Sequence, residues 1–589
     1  MQRLLSEQEI NILELNGCQA EDWTAVSVSE DFTPEYLRNV MFYGDVSLGV
    51  FERTIEVTPG FSKHSGIRNA TLRNVTIGDN CLIENIGNYI NNYTIGANCY
   101  ISNVCVMETI EGATFGQGNV VSVLNEVGEG NIMMFGLLNS QFAAFMVKHH
   151  SDHHLRDTIY RLIREEINCT MPDRGTIGER VKIVNTKEII NSVIGPDCEI
   201  SGASRLSDCT LQSVGQPVYI GTGVICENSI ISDGSSVINS VKMQDCFVGE
   251  ACKISNGFTA SHHKSSLLIG GQFSFYNAGS ATNFSNHAYK MGPMHYGILE
   301  RGAKTASGAY ILMPAKIGTF SVCFGKLMYH PDTRCIPFSY LIAYGDTMYL
   351  SPGRNLTTVG LYRDIRKWPK RDIRPLSKHR SIVNFDWLSP FSVNEVIQGK
   401  AILERLREAS GDNVSTYNYH EYVINASSLR MGISHYDMAL RIYMGAVVKR
   451  VLKRYGAVEP PASTIGEGAW SDLSGLLLPE SEEQRLIEQI KDGTLDDVQS
   501  IIDEFVAIDS RYRDYQWAWT YRLILDYYHI DHITQADIDR IHTDYVEARR
   551  MWISEIRKDA EKEFNMGDVE REVFDDFINL LDHEIDYEN

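Results

Sequence analysis

Two adjacent histidines, His262 and His263 in the segment NGFTASHHKSS, are the residues best suited to proton transfer. An imidazole titrates near neutral pH, so it is a natural general base for a hydroxyl or amine. One histidine would act as the base while the other orients it or binds substrate. The alternative is that both are surface or turn histidines without a chemical role.

Other polar side chains close to this pair in sequence could complete a pocket for substrate. This candidate substrate-binding set consists of Lys264, Asn283, His287, Lys290, His295 and Tyr296. The segments that carry these residues are rich in polar and aromatic side chains. Loops held on a rigid frame are where a scaffold protein usually carries its chemistry.

A second histidine cluster lies in the segment KHHSDHH, which contains His149, His150, His153 and His154 around Asp152. On a continuous helix, residues four apart lie one turn apart, so His149 with His153, or His150 with His154, could share a metal ion. A solvated polar face, or a contact to a neighbouring element, is the alternative interpretation. We predict no metal site here.

A basic segment, RNLTTVGLYRDIRKWPKRDIR, interrupts an otherwise acidic chain. Guanidinium groups bind phosphate in a bidentate manner, and aromatic rings can stack on bases. Arg363 and Arg371, with Tyr362 and Trp368 between or beside them, therefore predict a small anionic ligand that carries phosphate. The alternative is that the segment pairs with the acidic helices of the same protein.

The element that would position these residues is a repeat. TIGDNCLI, at residues 76–83, returns as TIGANCYI at residues 94–101, eighteen positions later. Such fixed-period similarity indicates stacked structural units. Each hexapeptide would supply a short strand with its aliphatic residue inward and a glycine relaxing the corner. We expect Ile77 to stack on Ile95, and Cys81, Cys99, Cys198 and Cys252 to fill the narrow core.

These motifs resemble the hexapeptide-repeat superfamily, whose members form a left-handed parallel β-helix. The segment NSVIGPDCEISGASRLSDCTLQSVG is also similar to the β-helical halves of sugar-nucleotide pyrophosphorylases. The whole chain resembles a family of large bacterial β-helix proteins to which no reaction is attached. No glycine-rich phosphate loop accompanies these motifs, so nucleotidyl transfer is not expected.

The resemblance implies an acyltransferase-like protein that binds a sugar-phosphate or sugar-nucleotide type of ligand. Acyltransferases of the superfamily use a histidine as general base, and the acyl donor lies in a groove between subunits. It therefore implies a catalytic role for His262 or His263, acetyl-CoA or another acyl donor as co-substrate without a tightly bound cofactor, and a homotrimer. The alternative is a scaffold without enzymatic activity that binds a ligand or assembles with partners.

Composition narrows the choice of partners. The 589 residues carry a formal net charge of −22, which argues against nucleic acid because phosphate neutralisation needs a basic face. The N-terminal residues lack the apolar segment of a signal peptide, and no later run reaches membrane-spanning length. We therefore expect a cytoplasmic protein that binds neither nucleic acid nor membrane.

The patterns divide the chain into four parts. We expect an N-terminal cap at 1–60, the β-helix at 61–350 with a helical insertion at about 137–170, a basic strap or linker at 351–391, and an α-helical domain at 392–589. Within the cap, TPEYLRNVMF predicts a helix. In the last part Ser392, Thr494 and Thr534 are predicted helix starts, and Trp517, Trp519 and Trp552 are predicted core residues.

Overall fold

Parallel strands dominate the first half of the chain, and helices dominate the rest. The computed structural model describes residues 2–123, 130–256, 258–260, 271–273, 275–285, 297–374, 380–567 and 571–586. A sheet of twenty-one strands extends to residue 260, and its pairings are parallel except that of β1 with β3. Its strands are β1 (Gln2–Leu4), β2 (Gln19–Ala20), β3 (Val26–Ser29), β4 (Leu37–Leu48), β7 (Gly66–Ile77), β8 (Leu82–Glu84), β9 (Tyr89–Ile95), β10 (Tyr100–Ser102), β11 (Val106–Glu108), β14 (Gly175–Ile177), β15 (Lys182–Val184), β16 (Glu188–Ile194), β17 (Glu199–Ser201), β18 (Arg205–Leu211), β19 (Tyr219–Ile220), β20 (Ile225–Ile231), β21 (Ser236–Ile238), β22 (Lys242–Gln244), β23 (Phe247–Val248), β24 (Lys253–Ser255) and β25 (Phe258–Ala260).

The register of this sheet follows the sequence repeat. Ile77 pairs with Ile95, and Ile95 pairs across the insertion with Ile177; all three side chains are at most 2% exposed. Cys81 Sγ lies 3.0 Å from the Gly96 carbonyl oxygen, and the next cysteine in the repeat makes the same contact with the next glycine. The predicted stacking of isoleucines and cysteines is therefore confirmed at these positions.

The cysteine prediction is wrong at the last repeat. Cys198 is buried like the cysteines before it, but Cys252 is exposed. Cys252 immediately precedes β24, one of the last strands of this sheet, so the core that buries its counterparts is incomplete around it.

The corners use glycine differently from the expectation. Gly96 has no left-handed φ, but a Cβ on it would lie 2.8 Å from the backbone nitrogen of Glu179. The left-handed residue stands two positions later, at Asn98 with φ 60°, a conformation that asparagine tolerates better than most residues. The glycine therefore permits close stacking of successive repeats, and the asparagine makes the turn.

The stack begins earlier than residue 61. β2 and β3 pair in parallel with β4, and β4 pairs in parallel with β7, so the parallel stacking starts at residue 19 and the N-terminal residues do not form a separate cap. The helix predicted for TPEYLRNVMF is also wrong. The segment forms one 3₁₀ turn, Pro34–Tyr36, and then enters the long strand β4, because pairing with β7 overrides the local helix signal.

Helices interrupt the stack where the repeat stops. After the hairpin β5 (Thr54–Thr58) and β6 (Phe61–His64) near the start, the insertion contains the hairpin β12 (Val120–Ser122) and β13 (Asn131–Met133), then α2 (Ser140–Lys148) and α3 (His153–Thr170). The sheet resumes at Gly175, which lies beside Tyr93. The insertion therefore separates two consecutive layers of the stack.

Shorter sheets continue the parallel pairing beyond residue 270. Three columns of strands pair in parallel, and within them Ile298 lies beside Lys316, and Lys304 beside Val322, again eighteen residues apart. The strands are β26 (Gly271–Phe273), β27 (Asn277–Ala278), β28 (Asn283–Ser285), β29 (Gly297–Leu299), β30 (Lys304–Thr305), β31 (Tyr310–Leu312), β32 (Lys316–Ile317), β33 (Val322–Phe324), β34 (Lys326–Leu327) and β35 (Tyr340–Tyr344). The next strand, β36 (Thr347–Ser351), pairs antiparallel with β35.

The rest of the described chain is mainly helical. Besides α1 (Glu7–Leu15) and the short 3₁₀ helices Trp23–Ala25 and Arg354–Thr357, its elements are α4 (Val359–Arg371), α5 (Pro390–Ser410), β37 (Thr416–Tyr419), β38 (Tyr422–Asn425), α6 (Ala426–Tyr455), β39 (Trp470–Leu473), β40 (Leu476–Pro479), α7 (Glu480–Asp492), α8 (Val498–Ser510), α9 (Tyr512–Tyr528), α10 (Gln535–Asn565) and α11 (Arg571–Asp586). Part of the predicted strap is thus a helix, α4.

The helix starts were predicted with mixed success. Thr534 caps α10 in a capping box with Asp537, as predicted. Asp497, rather than Thr494, caps α8. Ser389 caps α5, and Ser392 is its partner three residues on. An error of three residues arises because several polar residues near a helix start can accept the same backbone hydrogen bond.

Two large hydrophobic cores, beside one small cluster, hold together the described part of the protein. One runs inside the first stack, from Leu13 to Val248. The other joins the insertion helices, the strands after Gly297 and the C-terminal helices, and it contains the three tryptophans predicted as core, which are 2–7% exposed. The strands on either side of about residue 260 therefore pack in different cores, although a single repeat region was expected.

No helix in the described ranges is long and apolar enough to cross a membrane.

Candidate functional site

A cavity of about 1140 Å³ lies where the first stack ends. Its sides come from four separate parts of the chain: the last strands of the stack, the insertion, residues 275–277, and α4 with the segment that follows it. Arg363 and Arg371, both predicted to bind an anion, line it.

Helix α4 arranges its cations along one face. Thr358 caps the helix by accepting a hydrogen bond from the Leu361 amide at 3.2 Å. Arg363, Lys367 and Arg371 follow at intervals of four, which places them one above another. We call these three residues the cationic ridge. All three line the cavity.

Like charges at this spacing repel one another. Desolvation, followed by the charges of Arg371 and Arg363, lowers the pKa of Lys367 from its usual value. An anion bound in the cavity would relieve this repulsion. The ridge is therefore an electrostatic arrangement that favours a negatively charged ligand.

Two carboxylates near the ridge, those of Asp364 and Asp372, have close cationic partners outside it. Asp364 contacts the Lys304 ammonium group, and its other oxygen lies 3.8 Å from Arg363 Nε. Asp372 accepts two hydrogen bonds from Arg374, at 2.8 and 2.7 Å. Among the residues that the structure describes, no carboxylate forms an ion pair with the other two members of the ridge.

Glu250 fixes the segment after α4 across the end of the stack. Its carboxylate accepts the backbone amides of Arg380 at 2.8 Å and Ser381 at 3.1 Å, and Arg374 lies 3.5 Å away. Glu250 belongs to the repeat VGEAC, and nothing in that local sequence indicates this role. The partners are more than 120 residues away, so sequence reasoning missed them.

Much of the cavity lining is apolar. Six half-buried side chains form what we call the apolar wall: Val123, Ile132, Phe247, Ile254, Phe275 and Phe385. Trp368, also on the lining, stacks against Phe275 at a centroid distance of 5.3 Å and against Phe320 at 5.8 Å. The cavity lining thus combines the cationic ridge with a large apolar surface.

The expectation that Tyr362 and Trp368 stack on a base is not supported. Tyr362 is 1% exposed and packs against Trp552 and Phe577. Trp368 already stacks on two phenylalanine rings. Both aromatic rings of the basic segment therefore serve packing, because the alternation of basic and aromatic residues that suggested stacking is also the amphipathic pattern of a packed helix.

The alternative interpretation of the basic segment holds for some of its residues. Asp559 of α10 contacts Arg354 and accepts the Val359 amide at 3.0 Å, so the start of α4 is anchored on an acidic helix. Arg366 lies 4.2 Å from the Tyr362 ring centroid. The segment therefore has a structural side and, on the ridge, a side that faces the cavity.

The other predicted site residues are not gathered here. Asn283 is exposed on β28 beside Tyr310 and does not line the cavity. The remaining seven lie outside the described residues: His262, His263, Lys264, His287, Lys290, His295 and Tyr296. Their predicted roles in catalysis and substrate binding stay predictions.

The histidine cluster of the insertion does not form one helical face. α2 ends at Lys148, and Asp152 caps α3, so the spacing argument for paired histidines is wrong. His149 Nε2 instead lies 2.7 Å from Glu483 Oε1 on α7. Within the described ranges, no group of three His, Cys, Asp or Glu residues could hold a metal ion.

Glu483 links the insertion to the helical domain. Burial alone would raise its pKa, but the hydrogen bond from His149 and the charge of Lys148 outweigh burial and lower the pKa to about 2. Lys148 Nζ lies 2.7 Å from the carboxylate. His149 therefore makes a structural contact between the end of α2 and α7.

Comparison with known proteins places these features in a family. A family model described as a domain of unknown function, DUF4954, matches residues 2–261 and 254–407. The chain belongs to this DUF4954 family. The matched ranges include the stack, the cavity and the cationic ridge of this family member. Residues 456–571 match a second domain of unknown function, DUF6819.

The chain is also similar in sequence to a bacterial protein. An uncharacterized protein of Treponema pallidum (strain Nichols) is 28% identical over 251 residues, which is 40% of this chain and 34% of the relative. The chain therefore matches about a third of that relative's length. Neither comparison names a reaction or a ligand.

Proposed function

We propose that this DUF4954 protein binds a small phosphate-bearing molecule, of the sugar-phosphate or sugar-nucleotide type, in the cavity beside α4. The cationic ridge is the observation that carries the proposal, because three cations line one cavity and two of them, Lys367 and Arg371, form no ion pair with a described carboxylate. Guanidinium groups recognise phosphate by paired hydrogen bonds.

We propose that the scaffold behind the cavity is a left-handed parallel β-helix. The eighteen-residue register of stacked isoleucines supports this architecture, as do the three columns of parallel strands after residue 270. The sequence resemblance to the hexapeptide-repeat superfamily supplies the handedness. An experimental structure with right-handed or flat strand connections would contradict it.

The test of binding is calorimetric titration with inorganic pyrophosphate and with a panel of nucleotide sugars and sugar phosphates. Arg363→Glu with Arg371→Glu should weaken binding by at least 100-fold, because a hydrogen bond to a charged group contributes about tenfold or more in affinity. Lys370→Glu is the matched control, since Lys370 is exposed on the same helix but does not line the cavity. Equal affinity in both variants would refute the proposal.

Acyl transfer to such a ligand is the catalytic form of the proposal and rests on the superfamily resemblance. His262 or His263 would deprotonate the acceptor, with acetyl-CoA or another acyl-CoA as donor. Release of free CoA in the presence of the bound sugar ligand is the assay. Replacement of the catalytic histidine by alanine should lower turnover by roughly 10²–10⁴-fold without a change in melting temperature.

Absence of CoA release with intact ligand binding would favour the non-catalytic alternative, a ligand-binding scaffold. We also propose the homotrimer that is common among β-helix transferases. Light scattering tests it, and a monomer would exclude a groove between subunits as the acyl-donor site.

A further inference from the structure

The apolar wall indicates that the ligand contains more than a phosphate group. The cavity of about 1140 Å³ exceeds the volume typical of sites for drug-sized ligands. An inorganic anion on the cationic ridge would leave most of this volume, and most of the apolar lining, without a ligand contact. The ligand that fits the whole cavity therefore has a second, larger and apolar part.

The wall is continuous with the core of the stack. Ile254 pairs with Val237 in the column that also contains Ile220. The latter two side chains are fully buried, whereas Ile254 is half-buried and lines the cavity. The hydrophobic interior of the stack thus reaches the cavity through its last aliphatic position.

The insertion supplies the adjoining part of the wall. Val121 and Met134 form a small buried cluster with Ile230, and Phe247 packs against it. This cluster holds the insertion hairpin against the end of the stack, so the apolar surface is preformed. A preformed apolar surface binds an alkyl chain without a large ordering cost.

Charge decides which apolar molecule would enter. The ridge lies on the same cavity as the wall, and no described carboxylate forms an ion pair with Lys367 or Arg371. A neutral hydrocarbon would leave the cations without a partner, and a cationic amphiphile would be repelled. An anion with an alkyl chain satisfies both surfaces.

We propose that the ligand is an amphiphilic phosphate ester, whose phosphate binds the cationic ridge and whose alkyl chain lies along the apolar wall. This inference rests on the proposed function, of which it keeps the phosphate site, and it replaces the sugar or nucleotide part of the ligand by an alkyl chain. It predicts that the alkyl part, rather than a base or an aromatic ring, supplies most of the affinity.

The experiment is a calorimetric titration of the full-length protein with inorganic phosphate and with butyl, hexyl and octyl phosphate below their micellar concentrations. Each added methylene should lower the Kd by about fourfold, because burial of one CH₂ contributes roughly that factor. Octyl glucoside and octyl ammonium serve as neutral and cationic controls, and each should bind at least tenfold more weakly than octyl phosphate.

Two variants separate the halves of the site. Phe247→Ala with Ile254→Ala should flatten the dependence on chain length while inorganic phosphate binds as before. Arg363→Glu with Arg371→Glu should weaken every phosphate ester by a similar factor and leave the slope unchanged. Circular dichroism and melting temperature check that each variant is folded.

The outcomes distinguish the two proposals. Phosphate binding that depends on the ridge but not on chain length would overturn the amphiphile and leave the proposed function intact. Binding that ignores the ridge variant, or equal binding of octyl glucoside, would overturn both. The protein should stay in the supernatant with vesicles that contain phosphatidic acid, and cosedimentation would overturn a monomeric ligand in favour of a membrane surface.

Discussion

The regular stack and the cleft at its end are built by different rules. In the stack, the neighbour of a residue is found about eighteen positions away, as Ile77 is from Ile95. In the cleft, Ile132, Glu250 and Arg371 share one cavity although more than 100 residues separate each from the next. A repeat can specify a scaffold locally, but a site needs chain segments that only the folded molecule brings together.

Two glycines of the repeat show the same difference between the regular stack and its end. Gly96 and Gly249 occupy equivalent positions in IGANC and VGEAC. A Cβ on Gly96 would meet the backbone of the next repeat, whereas a Cβ on Gly249 would meet no described atom within 4 Å. The motif is the same, but whether its glycine position can hold a side chain depends on whether another layer packs against it.

The largest expected effect is a cavity in the stack. Ile95→Ala should destabilise the protein by about 2–5 kcal/mol, because the side chain is 1% exposed and layers on both sides hold its place open. Chemical denaturation followed by circular dichroism measures the loss. Val214→Ala, at a side chain that is 67% exposed, should change stability by less than about 0.5 kcal/mol. Similar losses in both variants would contradict the stacked core.

The next effect tests the two glycines directly. Gly96→Ala should cost about 1–3 kcal/mol, since the new methyl group collides with backbone atoms of the next layer. Gly249→Ala should be neutral or stabilising by about 0.4–1 kcal/mol, since it removes freedom from the unfolded chain. Thermal denaturation of the matched pair measures both. Equal destabilisation would mean that Gly249 is also covered by a further layer.

The stability of the protein should depend on pH through Glu300, a carboxyl group at the boundary between the strands and the C-terminal helices. Burial, followed by the charge of Asp472, raises the pKa of Glu300 to about 7, and the buried carboxyl of Glu395 and the Arg334 guanidinium also face it. Because the folded pKa exceeds the unfolded value, Glu300 contributes increasing stability as pH falls from about 7 to 4.5.

Glu300→Gln should remove a pH-dependent part of the stability on the order of 1–3 kcal/mol. The measurement is the free energy of unfolding of both proteins at pH 8 and pH 5. The variant is expected to be the more stable protein at pH 8 and to show a flatter profile. Glu111→Gln, at an exposed position, should keep the wild-type profile, and parallel profiles for all three proteins would refute the assignment.

The smallest effect concerns the helical region. Thr534→Ala should cost about 1 kcal/mol, because the Thr534 hydroxyl accepts the Asp537 amide in a capping box and alanine removes that acceptor. Thr494→Ala should cost little, since Asp497 caps the neighbouring helix. Thermal denaturation compares the two variants, and a larger loss at Thr494 would reverse the assignment of helix starts.

Prediction from sequence succeeded where local pattern and tertiary contact agree. The eighteen-residue repeat predicted which isoleucines stack, and the break in that repeat predicted the position of the helical insertion. It failed where tertiary contacts override local pattern. TPEYLRNVMF enters a strand because β7 offers it a partner, and His149 meets Glu483 because two distant helices pack together.

The candidate site was predicted in part. Arg363 and Arg371 could be proposed as anion-binding residues because basic side chains at helical spacing stand out in an acidic chain. Lys367 completes their ridge for the same reason. Phe247, Phe385 and Glu250 could not be found, since an ordinary aromatic or acidic residue carries no local mark of the cavity that it lines.

The sequence by itself determined the period of the stack, the position of its interior residues and the sign of charge on α4, because each depends on neighbours at short or fixed separation. The tertiary structure alone decided where the stack ends, which carboxylates neutralise which cations, and that the ridge faces an apolar wall. These features depend on contacts between segments far apart in the chain. The folded structure offsets the entropy cost of closing such long loops, and the local sequence of one segment does not show which distant segment it will contact.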